Sequence, residues 1–312
     1  MDVLSLSEAA EQVKVSMQTL RNYIREGKLT EYRRGKRVMV DRTELLTLFA
    51  PVRVTPRKPS EQLRVIAVCN QKGGVGKTTT VSALGYLLAQ QYPTLVIDAD
   101  PQGNLTQSFG IDPDKLNKTL YEVMVEGLPL EAAIQKVPPP PAALSLIGSN
   151  LDLAATSRQV SGRLGWESLL QDALQPLLGS YQYVLIDCPP NLDTLTINAL
   201  TAATEVIVPV DMGVYSLRGT AKLLDLIQDV RKVNPRLGIP RFLACRSEAT
   251  KLSETIIAEM TRAYSSHVFH TVIRKGVAVG EAQLAHRPLL VVSPNSHPAR
   301  DYTALAKEVV NG

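Results

Sequence analysis

The sequence is poor in cysteine, and it lacks long apolar runs, a basic leader and internal repeats. Its only cysteines, Cys69, Cys188 and Cys245, lie far apart and form no ligand-like pair along the chain. That usage fits a reducing cytoplasm and excludes a disulfide framework and a cysteine zinc site. No apolar run approaches the ~18 residues that a membrane helix needs. The opening residues MDVLSLSEAAEQ carry acids where a secretory leader carries bases, so no signal peptide is expected. What is present is an ordinary globular composition, 45% hydrophobic and 21% charged. A chain of 312 residues holds about two domains and can bury a core without crosslinks.

The net charge of +4 is unevenly placed. Residues 1–60 hold 12 Lys/Arg against 7 Asp/Glu, a net of +5, which leaves −1 for the other 252 residues. A basic head on a nearly neutral body points to a polyanion as the partner of the head. The stretch PVRVTPRKPSEQ, residues 51–62, has three prolines and no apolar period, and it reads as a linker. The expected division is therefore 1–50, a linker 51–62, and 63–312.

Beyond the linker, short apolar runs alternate with amphipathic stretches. Strands are expected at 63–69, 94–100, 144–148, 183–187, 206–210, 241–245, 268–273 and 289–293. Helical stretches fall at 77–91, 164–178, 216–233 and 250–265. Continuous Val/Ile/Leu runs suit strands buried on both faces. Their alternation with helices predicts an α/β fold, a mostly parallel sheet with helices on both faces. The prolines from Pro138 to Pro141 fit neither element and predict a surface loop.

The densest chemical signal is VIAVCNQKGGVGKTTT, residues 65–80. A strand runs into a glycine-rich turn, and Lys77-Thr78 opens a helix. Gly73, Gly74 and Gly76 let successive N–H groups face a phosphate chain, and the helix start adds its positive dipole end. Lys77 can reach the β- and γ-phosphates, and the Thr78 hydroxyl can ligate Mg²⁺. The candidate nucleotide contacts are Lys72, Gly73, Gly74, Val75, Gly76, Lys77, Thr78 and Thr79. Where the common phosphate-loop motif begins with glycine, this chain has Gln71. Two further strands end in acids: TLVIDADPQGN places Asp98 and Asp100, and YVLIDCPPNLD places Asp187. Acids there point into the crevice where α/β folds bind ligands, and they can hold Mg²⁺ or orient a nucleophilic water.

Together these residues resemble the deviant-Walker ATPases of the ParA/MinD superfamily over about residues 63–310, and within it the ParA/Soj partition proteins. The likeness rests on NQKGGVGKTTT, VIDADPQGN, VLIDCPPNLDTLTINAL, VIVPV, FHTVI and AKEVV. It implies a P-loop NTPase fold with ATP and Mg²⁺ as cofactors. It also implies an ATP-sandwich homodimer in which Lys72 crosses to the nucleotide of the second subunit. Lys72, Lys77 and Asp100 are the implied catalytic residues, with Asp100 required for hydrolysis. Thr78, Asp98 and Asp187 are implied around the metal. The resemblance further implies sequence-independent DNA binding by the ATP dimer and stimulation by a ParB-like partner. The chain departs from the partition pattern after Ile273, where Arg274-Lys275-Gly276 replaces Pro-Arg-Asn, and in CRSEATKLS after 241–245. Arg246, Lys251, Arg274 and Lys275 are the candidate DNA contacts of this body.

In the head, Ser5 and Glu8 fit a capping box for a helix reaching about Val13. Ser16 can cap a second helix that ends at Gly27. Leu20, Tyr23 and Ile24 form the apolar face of that second helix, while Gln18, Thr19, Arg21, Asn22 and Arg25 fall largely opposite. YRRGKRVMV reads as a basic hairpin turning at Gly35, followed by a closing helix from Asp41 to Phe49. This resembles a MerR/excisionase-type winged helix-turn-helix domain, small and mainly helical, over residues 3–49. Gln18, Thr19, Arg21 and Asn22 are placed for bases, and Arg33, Arg34, Lys36 and Arg37 for phosphates.

The combination predicts a cytoplasmic, nucleoid-associated DNA-partition ATPase whose head can repress its own operon. A MinD-like membrane-cycling ATPase is one alternative. It would need a basic amphipathic tail, whereas DYTALAKEVVNG has Lys307 as its only base, so no membrane partner is expected. An ATP-responsive transcription regulator is the other. A nitrogenase-iron-protein-like role would require cluster cysteines, which neither Cys69 nor Cys188 is placed to supply.

Overall fold

The structure is a computed structural model and describes residues 3–13, 15, 17–25, 29–35, 37–48, 63–137, 141–213 and 220–311. The chain divides into two compact units, Met1–Arg53 and Val54–Gly312.

In the small unit, β1 (Val3–Ser5), β2 (Glu31–Arg34) and β3 (Arg37–Asp41) form an antiparallel sheet in the order β1-β3-β2. The hairpin was expected, and β1 is an addition to it. Helices Leu6–Gln12, Met17–Arg25 and Arg42–Leu48 complete the unit. The capping box forms as predicted: the Ser5 hydroxyl accepts from Glu8 N–H, and Glu8 accepts from Ser5 N–H. Asp41 caps the third helix by accepting from the N–H groups of Thr43 and Glu44. The core gathers Leu6, Ala9, Leu20, Leu29, Val40 and Leu45, with Tyr23 and Ile24 packed against it. Ser16, Gly27 and Phe49, which enter the expected helix ends, lie outside the described residues.

The large unit is a seven-stranded sheet in the order β10-β9-β4-β8-β5-β7-β6. Its strands are β4 (Arg64–Val68), β5 (Thr94–Asp98), β6 (Ile134–Lys136), β7 (Leu144–Ile147), β8 (Tyr183–Asp187), β9 (Glu205–Asp211) and β10 (Arg241–Cys245). All neighbours are parallel except β6 against β7. Alternate residues feed opposite layers. Val65 and Ala67 of β4 join Leu95, Ile97, Val184 and Ile186 on one face. Ile66 and Val68 join Val96, Leu185 and the helices Lys77–Leu88 and His297–Asn311 on the other. Both faces are covered, which is why these strands read as continuous apolar runs.

Three expectations are corrected. Residues 268–273 form no regular strand; they make an isolated bridge between Val268 and Phe242 and separate backbone hydrogen bonds from Phe269 N–H to Phe242 and from Ile273 N–H to Ala244. The backbone N–H groups of His270 and Thr271 turn instead to the Glu308 carboxylate. The run at 289–293 contains a short helix, Leu289–Val292; a brief apolar run has no period that separates strand from helix. The stretch 164–178 is not one helix: Leu169–Leu174 is flanked by 3-10 turns at Trp166–Ser168 and Gln175–Leu177, the latter carrying Pro176. The edge strand β6 was not anticipated. The helix expected at 216–233 is described as Ala221–Val233, with residues 214–219 outside the described set, as are Pro138 to Pro140.

Candidate functional site

Sheet register assembles the site. Val68 pairs with Asp187, and Asp187 pairs with Asp98. The loop after β4 and the two acids therefore sit level at the carboxyl ends of three adjacent central strands. Gly74 and Gly76 in that loop adopt φ of +70° and +103°, a left-handed geometry that a side chain would strain. Asn70 braces the loop, donating to the Pro209 carbonyl at 2.7 Å and accepting from Lys72 N–H at 3.0 Å. Gly76 then leads into the helix Lys77–Leu88.

Lys77 is buried, and its ammonium donates to the Lys72 carbonyl at 3.3 Å. Lys72 is half-exposed and holds both carboxylate oxygens of Asp211 at 2.8 Å. Asp211 ends β9. It carries the same strand-end signal as the other acids.

The two buried acids differ. Asp98 accepts from the hydroxyl and N–H of Thr106 at 2.7 and 2.8 Å and from Asp100 N–H. Burial nevertheless pushes its carboxyl up to about 7, and Asp100 adds to the rise. Asp187 is fully buried, and neither of its oxygens accepts a hydrogen bond. Burial first, then the neighbouring Asp98, raises its carboxyl well above the usual range. Thr78 and Lys77 lie near enough to oppose that rise only in part. A buried acid without a partner is costly, so this one has the character of a ligand awaiting a cation. Among the described residues no three His, Cys, Asp or Glu side chains converge on one point. A hard cation here would therefore draw on the Thr78 hydroxyl, Asp187 and oxygens from outside the chain, which suits magnesium.

Above these groups opens a cavity of about 670 Å³. Gly73, Gly74, Gly76, Lys77, Thr78, Thr79 and Asp100 line one side of it. Val75 is packed away from it, and Asp98 and Asp187 lie beneath. Arg246, Lys275 and Gly276 line the other side. Two of the body's candidate DNA contacts thus face the cavity. Arg246 donates to the Gly74 carbonyl at 3.0 Å, and Lys275 pairs with Glu248 at 2.6 Å. Arg274 forks onto the Asp301 carboxylate, and Lys251 stands exposed at the start of its helix. Cys69 and Cys188, distant in sequence, meet thiol to thiol where β4 and β8 end; both are buried.

In the small unit Gln18 and Arg21 are exposed, and Asn22 accepts from Gln18 and Arg25. Thr19 is half-buried, Arg37 is exposed, and Arg33 pairs with Glu31. The Arg34 side chain and Lys36 lie outside the described residues. No described helix is long and apolar enough to cross a membrane, and Leu305 and Val309 of the last helix are buried against the body.

Comparison with known proteins places the fold in a family. A family model described as an AAA domain matches residues 63–239, and one described as a helix-turn-helix domain matches residues 3–50. The chromosome partitioning protein ParA of Caulobacter vibrioides is 38% identical over 259 residues, covering 80% of this chain and 94% of its own. The sporulation initiation inhibitor protein Soj of Bacillus subtilis is 36% identical over 255 residues, covering 79% and 98%. Among solved structures, cobyrinic acid a,c-diamide synthase from Mycobacterium smegmatis, with bound ADP and magnesium, superposes with a TM-score of 0.69. It is 34% identical and covers 80% of this chain and 94% of its own.

Proposed function

The chain belongs to the ParA/Soj family of P-loop ATPases, and from that premise we propose that it is a DNA-partition motor that binds and hydrolyses Mg-ATP. The observation that carries the reading is the unpartnered carboxylate of Asp187, buried level with a phosphate-shaped loop and next to Thr78 and Lys77. Thr78 and Asp187 would hold the metal, and Asp98, tied to Thr106, would orient its water shell. Bound magnesium supplies neutralisation of the β- and γ-phosphate charge. Loop N–H groups and the Lys77 ammonium fix the phosphate chain in place. Asp100, at the cavity wall, orients the attacking water.

In this reading Lys72 leaves Asp211 and serves the nucleotide of a second subunit, so ATP makes a homodimer. The dimer binds duplex DNA without sequence preference, a ParB-like protein stimulates turnover, and the protein works in the cytoplasm on the nucleoid. The helix Met17–Arg25, with Gln18 and Arg21 exposed, enters a major groove and reads a site used for autorepression. Leu305 and Val309 of the helix His297–Asn311 are buried in the core, so these side chains are not available to a membrane. ATP turnover measured alone, with duplex DNA, and with DNA plus a ParB-like protein tests the proposal. Slow basal turnover that rises with both additions is expected. Turnover indifferent to both would leave an ATP-responsive regulator as the better reading.

A further inference from the structure

Arg246 is the one arginine among the described residues with positive φ, at +55°. Non-glycine residues avoid that region and are held there only by their surroundings. The surroundings are visible. Ile273 N–H donates to the Ala244 carbonyl, and Ser247 N–H donates to the Ile273 carbonyl. In a regular parallel ladder one residue stands between such partners; here there are two, Cys245 and Arg246. Pairing then continues as an isolated bridge between Ser247 and Arg274, with Lys275 N–H donating to the Ser247 carbonyl. Arg246 is therefore the extra residue of a β-bulge locked on both sides. A bulge re-aims a side chain, and this one turns the Arg246 guanidinium across the cavity onto the carbonyl of Gly74. Gly74 is itself left-handed, which glycine adopts freely, so the strain in this contact lies on the Arg246 side alone.

We propose that Arg246 is a positioning residue for the nucleotide: it clamps the Gly73-Gly74-Val75 segment so that its N–H groups face the phosphate chain. The clamp adds a positive charge at the mouth of the cavity, with Lys275 beside it and Glu248 as the neighbouring acid. It acts on the phosphate end of the ligand and is indifferent to the base. It also removes Arg246 from the set of DNA contacts. The proposal rests on the reading of this cavity as the nucleotide site.

The test compares Arg246→Gly, Arg246→Ala and Arg246→Lys in the full chain, with Lys77→Ala as reference. Glycine keeps the left-handed bulge without strain and removes only the guanidinium. Titrations with ATP and with inorganic tripolyphosphate should show both affinities falling by about tenfold in the Gly and Ala variants, the loss of one charge-assisted hydrogen bond. Arg246→Lys should regain part of that loss. Duplex binding at saturating ATP should match the parent. Parental ATP affinity in Arg246→Gly with loss in Arg246→Ala would show that only backbone shape matters, and it overturns the clamp. A fall for ATP but not for tripolyphosphate would mean a base contact instead. Weaker duplex binding with unchanged ATP affinity would restore Arg246 to the DNA surface. Should Lys77→Ala itself bind ATP like the parent, the nucleotide reading fails, a result distinct from failure of the clamp.

Discussion

The two walls of the cavity proposed to hold the nucleotide are built by different means. One wall is a single stretch of chain, Gly73 to Thr79, whose shape comes from left-handed glycines and the start of a helix. The opposite wall has no motif. It is held by side chains from distant parts of the sequence: Arg246 on Gly74, Arg274 on Asp301, and Lys275 on Glu248. In the proposed reading the first wall binds with backbone dipoles that any suitable loop would supply. The second is set by pairs that can be broken singly.

The largest expected effect is on the first wall. Lys77→Ala removes the cation facing the phosphates and should weaken ATP binding on the order of a hundredfold or more. Isothermal calorimetry decides it, and an affinity near that of the parent would sink the P-loop assignment.

Asp187→Asn comes next, and its two consequences have opposite signs. Removing an unpartnered buried acid should raise the melting temperature of the metal-free protein by a few degrees. The same change should weaken magnesium-dependent ATP binding by about tenfold or more. A pH effect accompanies it. Asp98, pushed up to about 7 by burial, keeps in the folded state a proton that the unfolded chain releases near 3.8. Stability of the metal-free protein should therefore fall as pH rises through that window and level off above it. Asp187 adds in the same direction, so Asp187→Asn should flatten the slope. Melting curves across the window test both statements, and a slope unchanged by the substitution would contradict the account of the pair.

On the second wall, Asp301→Asn weakens the acceptor of both the Arg274 backbone N–H and its guanidinium. The melting temperature should drop by a few degrees, and ATP affinity should fall only by a small factor. A loss as large as that of Lys77→Ala would erase the distinction between the walls. The smallest effect is expected for Glu248→Ala. Its ion pair with Lys275 is solvent-exposed and screened, so the melting temperature should stay that of the parent.

How much of this was legible in the sequence follows the same division. The phosphate loop, the strand-end acids Asp98 and Asp187, and the parallel sheet all come from local pattern. The capping box of Ser5 and Glu8 does too. What was missed depends on long-range pairing. Residues 268–273 are apolar enough for a strand, yet Glu308 takes the N–H groups of His270 and Thr271. Arg246 and Lys275 read as candidate DNA contacts in the sequence, and no local pattern signals that the fold pairs Arg246 with Gly74 and Lys275 with Glu248. Cys69 and Cys188 looked isolated because only the register of β4 on β8 brings them together.

The central claim is that ATP makes a dimer through Lys72. Light scattering of the Asp100→Ala variant with Mg-ATP tests it most directly, because blocked hydrolysis should trap the bound state. The account predicts twice the chain mass of 34.0 kDa with ATP, the single mass with ADP, and the single mass with ATP once Lys72→Ala is added. A mass that ignores the nucleotide, or a Lys72→Ala protein that still dimerises with ATP, would contradict it.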